Sequence, residues 1–278
     1  MRGISYIADT VEFRTWARQA PYTFNELEDD LKAAIDEDDY SENLPQKVMD
    51  EIVARQGILK DAYPFESDGY SVRVKCADPQ KSTYLFCVAL SLLPAAYIET
   101  EQRAQQFESV ATRAAKGFFG GDALRIGAPW KTDEVPTYGK LLDKIVALIP
   151  NLGNRARDEA PNGGDGGWDV LVVKNFLDNQ FPRLIALGNC ATGRTDWKRK
   201  GKETEPGYIW EFFAHGHRSV LITFLVVPYV MDEDIRLRKL GVLTFDRFRL
   251  CEHAAESTNE TAAWIESTRD AALDLPFN

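Results

Sequence analysis

Nowhere does this chain of 278 residues carry the roughly 18 to 20 consecutive uncharged residues that a membrane span needs. Its N-terminus, with Arg2, Asp9, Glu12 and Arg14, also lacks the apolar stretch of a signal peptide. The expected location is the cytoplasm, with no membrane partner. Cysteine is scarce: Cys76, Cys87, Cys190 and Cys251 stand far apart with no CxxC pair, which removes a disulfide framework and a zinc ribbon and leaves buried thiols. Positive charge is in short supply, 33 Lys and Arg against 43 Asp and Glu, a formal charge of −10. That balance argues against a protein that coats nucleic acid by bulk electrostatics, although a local basic groove stays open. GxSxG, GxxxxGK[ST] and a GxGxxG following a strand are all missing, so serine-hydrolase, nucleoside-triphosphate and dinucleotide readings have no support. No internal repeat or low-complexity tract is visible.

What is present is enough apolar material for a core, 44% hydrophobic and 11% aromatic, in one large domain or two modest ones. Charge is segregated along the chain. Nine acids between Glu26 and Glu42 face one lysine, Lys32, whereas Arg194, Lys198, Arg199, Lys200 and Lys202 crowd a short stretch against Asp196 alone. Taken singly, such runs are ordinarily solvated faces.

The first part of the chain reads as mainly helical, with a domain boundary near residue 97. Helical spacing covers Asn25 to Ile35 and Leu44 to Gln56, the latter with Pro45 in the first turn, where a helix tolerates it. Tyr70 to Cys76 alternates as a half-exposed strand, broken by Asp78-Pro79 before Thr83 to Leu93. From Glu99 to Phe119, Phe107, Val110, Ala111, Ala114 and Phe118 mark one helix face, with Glu108 beside it and Gly120-Gly121 as the stop. A second helix spans Tyr138 to Leu148, and a Gly/Asn/Asp/Pro loop spans Asn151 to Gly167. Val170 to Val173 and Arg183 to Leu187 are strands joined through Asn175 to Phe181 as a hairpin or bulged connection, and Arg218 to Val227 is a third, stopped by Pro228. A charged helix over Asp232 to Leu240, a short strand over Gly241 to Phe245 and a closing helix over Thr258 to Leu273 complete the order. The expected fold class is α/β with a mixed central sheet flanked by helices, residues 98–278, preceded by a mainly helical region, residues 1–97.

The chemistry-bearing stretch is Gly164-Asp165-Gly166-Gly167-Trp168-Asp169, where a glycine-rich turn delivers Asp169 to the start of an apolar strand. Phosphodiester hydrolysis needs a divalent cation, and magnesium prefers carboxylate, carbonyl and water oxygens. Carboxylates on the edges of neighbouring elements supply such a cage. By itself the turn reads equally as a plain Gly-Asp entry into a strand. It is joined, however, by a helix carrying Phe107-Glu108-Ser109-Val110 before it and by a strand ending at Gly188-Asn189-Cys190 after it. Together these elements resemble the PD-(D/E)xK superfamily, in particular its Mrr-like branch, over roughly Glu99 to Phe248.

The resemblance implies a restriction-endonuclease-like core and a Mg2+-dependent (or Mn2+-dependent) endonuclease acting on DNA, in prokaryotic restriction or anti-phage defence. It implies Asp169 as central metal ligand, Glu108 as a further ligand or water-orienting group, and the Cys190 backbone carbonyl as a contributor; Asp165 is a supporting candidate. Asn189 stands where the family has Glu or Gln, and Ala191 where it has lysine. The cation that offsets charge must then come from a neighbouring element, with Lys198 the first candidate and Arg194 behind it. Alternatively Arg194, Lys198, Arg199 and Lys200 only hold the DNA backbone, with Trp197 packing or stacking nearby. The missing motif lysine and the acidic segment also fit an inactive nuclease fold that binds a partner protein, such as one from the same defence operon, or senses nucleic acid. Enzymes of this superfamily that cut both strands act as pairs, so a homodimer is compatible with the reading.

Outside this stretch, His215 and His217 form no complete ligand set. Trp210 to Phe213 reads as core packing, and Asp246 to Leu250 as an ion pair closing the fold, with a phosphate contact by Arg247 or Arg249 as the lesser alternative.

Overall fold

The computed structural model describes residues 3–36, 39–93, 97, 100–128, 135–156, 167–178, 180, 183–193, 197–200, 207–215, 219–231, 242–254 and 256–277. The chain divides into two compact units, residues 1–97 together with 255–278, and residues 98–254. The C-terminal segment, read in the sequence as the end of the second domain, therefore packs with the first.

The first unit is helical around a small sheet. Helix α1 (Ile4–Arg18) is buried along most of its length, which explains why it shows little amphipathic pattern. Strand β1 (Tyr22–Thr23) leads into α2 (Phe24–Ala34), whose start is fixed by a capping box: Thr23 accepts from the Glu26 amide, and Glu26 reaches back to the Thr23 amide. Helix α3 (Leu44–Leu59) carries Pro45 in its first turn. Strands β2 (Phe65–Ser67) and β3 (Ser71–Val74) follow, and the antiparallel order is β1-β3-β2, a sheet the sequence reading reduced to one strand. Helix α4 (Thr83–Leu92) is capped by Ser82. Arg55 is buried on α3 and ties the unit together. Its guanidinium donates to Asp9 Oδ1 (2.7 Å) and Glu12 Oε2 (3.1 Å) of α1 and to Glu51 Oε1 (3.0 Å), while Tyr84 donates to Glu12 at 2.8 Å.

The second unit is built on helices α5 (Thr100–Phe119), α6 (Tyr138–Leu148), α7 (Trp197–Lys200), α8 (Gly207–Trp210) and α9 (Arg247–His253). Its five strands are β4 (Asp122–Arg125), β5 (Val170–Lys174), β6 (Leu184–Cys190), β7 (Val220–Val226) and β8 (Leu243–Phe245), side by side in that order. β4, β5 and β6 are antiparallel, and β6, β7 and β8 are parallel, so the sheet is mixed. Alternation along the pleat sends Leu171, Val173, Ile185 and Leu187 into one core with Tyr138, Leu141, Leu142 and Ile145 of α6 and with Trp210, Phe212 and Phe213. Trp210 to Phe213 is thus core packing. Val170 and Val172 take the opposite face, where α5 packs against β4 and β5 and meets α9. Asp246 caps α9 by accepting from the Arg249 amide, and the buried Arg247 donates to the Pro228 carbonyl at 3.0 Å, so these residues close the fold through backbone contacts. The expected charged helix over residues 232–240 lies outside the described residues. The closing segment is two helices, α10 (Asn259–Ser267) and α11 (Arg269–Leu273), which belong to the first unit. No helix among the described residues is long and apolar enough to cross a membrane.

Candidate functional site

Because β5 and β6 are antiparallel, the start of one lies beside the end of the other, with Val170 opposite Gly188. This brings Asp169, one residue before β5, against the end of β6 at the rim of the sheet. Gly167 adopts φ +87°, a conformation that side chains with a Cβ rarely take, and thereby lets the chain turn into the strand. Trp168, 1% exposed, anchors that turn in the α6 core. The Asp169 backbone is then held on both sides: its amide donates to the Gly188 carbonyl (2.9 Å), and its carbonyl accepts from Ile126 (2.8 Å) and Gly127 (3.1 Å). With the backbone fixed, the carboxylate has a defined position. Its Oδ2 accepts from the Cys190 amide (2.6 Å) and from Lys200 Nζ (3.1 Å).

Glu108 comes to the same place from α5, next to Phe107 on the buried stripe, and is 4% exposed. Arg125, at the end of β4, pairs in register with Val170, and alternation turns it to the α5 side of the sheet. Its Nη1 donates to Glu108 Oε2 at 2.9 Å and to the Gly127 carbonyl at 3.0 Å. Gly127 lies close against the same carboxylate: a Cβ there would stand 2.4 Å from Glu108 Oε2, so the carboxylate would have to shift. The site is therefore a tetrad of two buried acids and two partly exposed bases, Glu108 with Arg125 and Asp169 with Lys200.

The charges are coupled. Burial, and after it the charge of Asp169, pushes the Glu108 carboxyl up to about 8, against the opposing pull of Arg125 and Lys200. The Cys190 thiol is held well above its usual range by burial and by the charges of Asp169 and Glu108, so it stays protonated and is a poor thiolate ligand. Two buried acids that feel one another's charge are hard oxygen donors, and a divalent cation would favour the ionised form of both. Magnesium characteristically takes one or two carboxylates and keeps several waters. The donor chemistry fits that ion, with a main-chain carbonyl of Cys190 and the Asn189 carboxamide as further oxygens. Among the described residues no group of three or more His, Cys, Asp and Glu could hold a metal.

The structure thus brings Glu108, Asp169 and Cys190 together, and Asn189, also buried, is the residue of β6 just before Cys190. It separates the two lysines that the sequence reading treated together. Lys198 was expected at the centre and Lys200 on the DNA backbone, yet the ammonium on Asp169 belongs to Lys200. The Lys198 Nζ instead lies 5.7 Å from the centroid of the Trp197 ring. The reason is helical geometry. Trp197 is buried against Ala191, Leu225, Val227 and Met231, and Lys200, three residues on, shares its face, whereas Lys198 is about 100° away. Arg199 is exposed on the same short helix. Arg194, Asp165 and His217 lie outside the described residues.

Sequence reasoning missed Arg125, because the stretch after Gly120-Gly121 was not read as a strand. The signal was present in Ala123-Leu124-Arg125-Ile126, where Leu124 and Ile126 join the α6 core and Arg125 alternates to the opposite face. No protein-family model, curated protein or solved structure matches the chain.

Proposed function

We propose that residues 98–254 form a restriction-endonuclease-like core and act as a magnesium-dependent endonuclease that hydrolyses phosphodiester bonds of DNA. The observation that carries this reading is the convergence of Glu108 and Asp169, distant in sequence, in one buried, charge-coupled site with Lys200 and Arg125. A five-stranded mixed sheet with helices on both faces supports the fold assignment. Glu108 and Asp169 would hold Mg2+ or Mn2+, assisted by the Cys190 carbonyl and Asn189. The ion supplies neutralisation of phosphate charge and activation of the attacking water. Lys200 pairs with the Asp169 carboxylate and orients it, and presents a cation at the rim of the sheet where charge on a scissile phosphate develops. DNA follows from the family resemblance, and the basic stretch around Lys198 and Arg199 suits the phosphate backbone of a nucleic acid.

The experiment is incubation of the purified chain with plasmid or single-stranded DNA and Mg2+ or Mn2+. Cleavage that stops with EDTA and with Asp169→Ala, in a protein whose circular dichroism is unchanged, supports the proposal; cleavage retained by Asp169→Ala refutes it. A second reading, an inactive nuclease fold that binds a partner or senses nucleic acid, is favoured by one observation. Each acid of the tetrad already carries a cation of its own, an arrangement that is satisfied without metal. Metal-dependent cleavage would reject that reading.

A further inference from the structure

Arg125 Nη1 donates both to Glu108 Oε2 and to the Gly127 carbonyl, and the side chain is 14% exposed at the end of an edge strand. The carboxylate it holds is one of the two that would ligate the ion. A positive charge 2.9 Å from Glu108 Oε2 opposes the arrival of two more and withdraws electron density from the carboxylate that a dication would use. The ion pair is also short enough in reach to be exchanged: β4 fixes the Arg125 backbone, while the long side chain can swing away from Glu108 without moving the strand. A guanidinium released in this way has a planar fork of donors suited to a phosphate.

We propose, on the basis of the metal-dependent reading above, that Arg125 and the divalent cation compete for Glu108, and that the displaced Arg125 grips a non-bridging oxygen of the bound phosphodiester. Arg125 is then a gate on metal binding and a substrate contact in turn. No covalent step is involved, and the exchange transfers one carboxylate oxygen from a guanidinium to the ion.

Two readouts of opposite sign test this. Mn2+ binding to the whole chain is measured by calorimetry for wild type, Arg125→Ala and Arg125→Lys, and binding of a duplex oligonucleotide is measured in Ca2+, which holds the site without supporting turnover. The expected result is roughly tenfold tighter Mn2+ binding by Arg125→Ala, about 1.4 kcal/mol, together with weaker oligonucleotide binding. Arg125→Lys should lie between wild type and Arg125→Ala in both, and it supplies the test if the alanine variant fails to fold. Mn2+ binding by Arg125→Ala that is equal to or weaker than wild type overturns the proposal, and assigns Arg125 to holding Glu108 in place. Wild type that binds no Mn2+ overturns the metal-dependent reading itself, a result distinguishable from the first because it appears without any substitution.

Discussion

Replacing Glu108 by glutamine removes the ionisable group from the tetrad while keeping its shape and its capacity to accept from Arg125. In the folded protein the Glu108 carboxyl is raised from 4.5 to about 8, first by burial and then by the charge of Asp169. In the unfolded chain it titrates near its ordinary value. Between those limits the native state holds a proton that the unfolded state has released, so stability from this group is complete below about pH 4.5 and is lost as pH rises through 8. At about 1.4 kcal/mol for each pKa unit, the ceiling is about 5 kcal/mol. Urea unfolding in EDTA, followed by tryptophan fluorescence at intervals from pH 5 to 9, should show wild type losing ground to Glu108→Gln. The slope should approach 1.4 kcal/mol per pH unit in the middle of the window. Millimolar Mg2+ should flatten that difference, because a bound dication favours the ionised acid. Parallel curves for the two proteins in EDTA would refute the reasoning, since they would mean that Glu108 does not carry an excess proton in the folded state.

The other expectations follow from the same geometry. Lys200→Ala should lower Mg2+-dependent DNA cleavage by roughly 100-fold or more, whereas Lys198→Ala should reduce only DNA affinity; single-turnover assays at saturating DNA separate the two, and equal losses would return Lys198 to the centre. Gly127→Ala places a Cβ against the Glu108 carboxylate, must displace it, and should weaken Mn2+ binding roughly tenfold or more at a cost of about 1 kcal/mol in urea unfolding. An alanine variant with normal metal affinity would contradict the close approach. In the first unit, Arg55→Ala strands Asp9 and Glu12 in the interior, and the expected loss of about 3–5 kcal/mol should appear as a lowered melting temperature in calorimetry.

The parts of this architecture that were legible in the sequence are those where one pattern dominates. The stripe through Phe107, Val110, Ala111 and Ala114 gives α5, and the apolar runs at Val170 and Val220 give central strands, the first buried on both faces and the second buried over Phe224 to Val226. The glycine turn before Asp169 and the glutamate beside Phe107 were visible as candidates, because few other acids sit at the edge of an apolar element. What escaped was short or decided by tertiary contacts. β1 and β2 are two and three residues long, too short for alternation to register. α1 is buried nearly all round, with Asp9 and Glu12 neutralised by Arg55 from another helix, so its sequence lacks the polar face that marks a surface helix. The return of residues 255–278 to the first unit is a long-range event that local pattern does not encode. The choice between Lys198 and Lys200 turned on which face of a four-residue helix Trp197 buries, a fact that becomes readable once Trp197 is placed in the core.

The most direct test is a crystal structure of the chain soaked in Mn2+, recorded at an energy where manganese scatters anomalously. A single strong anomalous peak within coordination distance of both the Glu108 and Asp169 carboxylates, with Lys200 still beside Asp169, is the predicted result. A manganese peak elsewhere, such as on the acidic segment between Glu26 and Glu42, with the two buried carboxylates still paired to Arg125 and Lys200, would contradict the account.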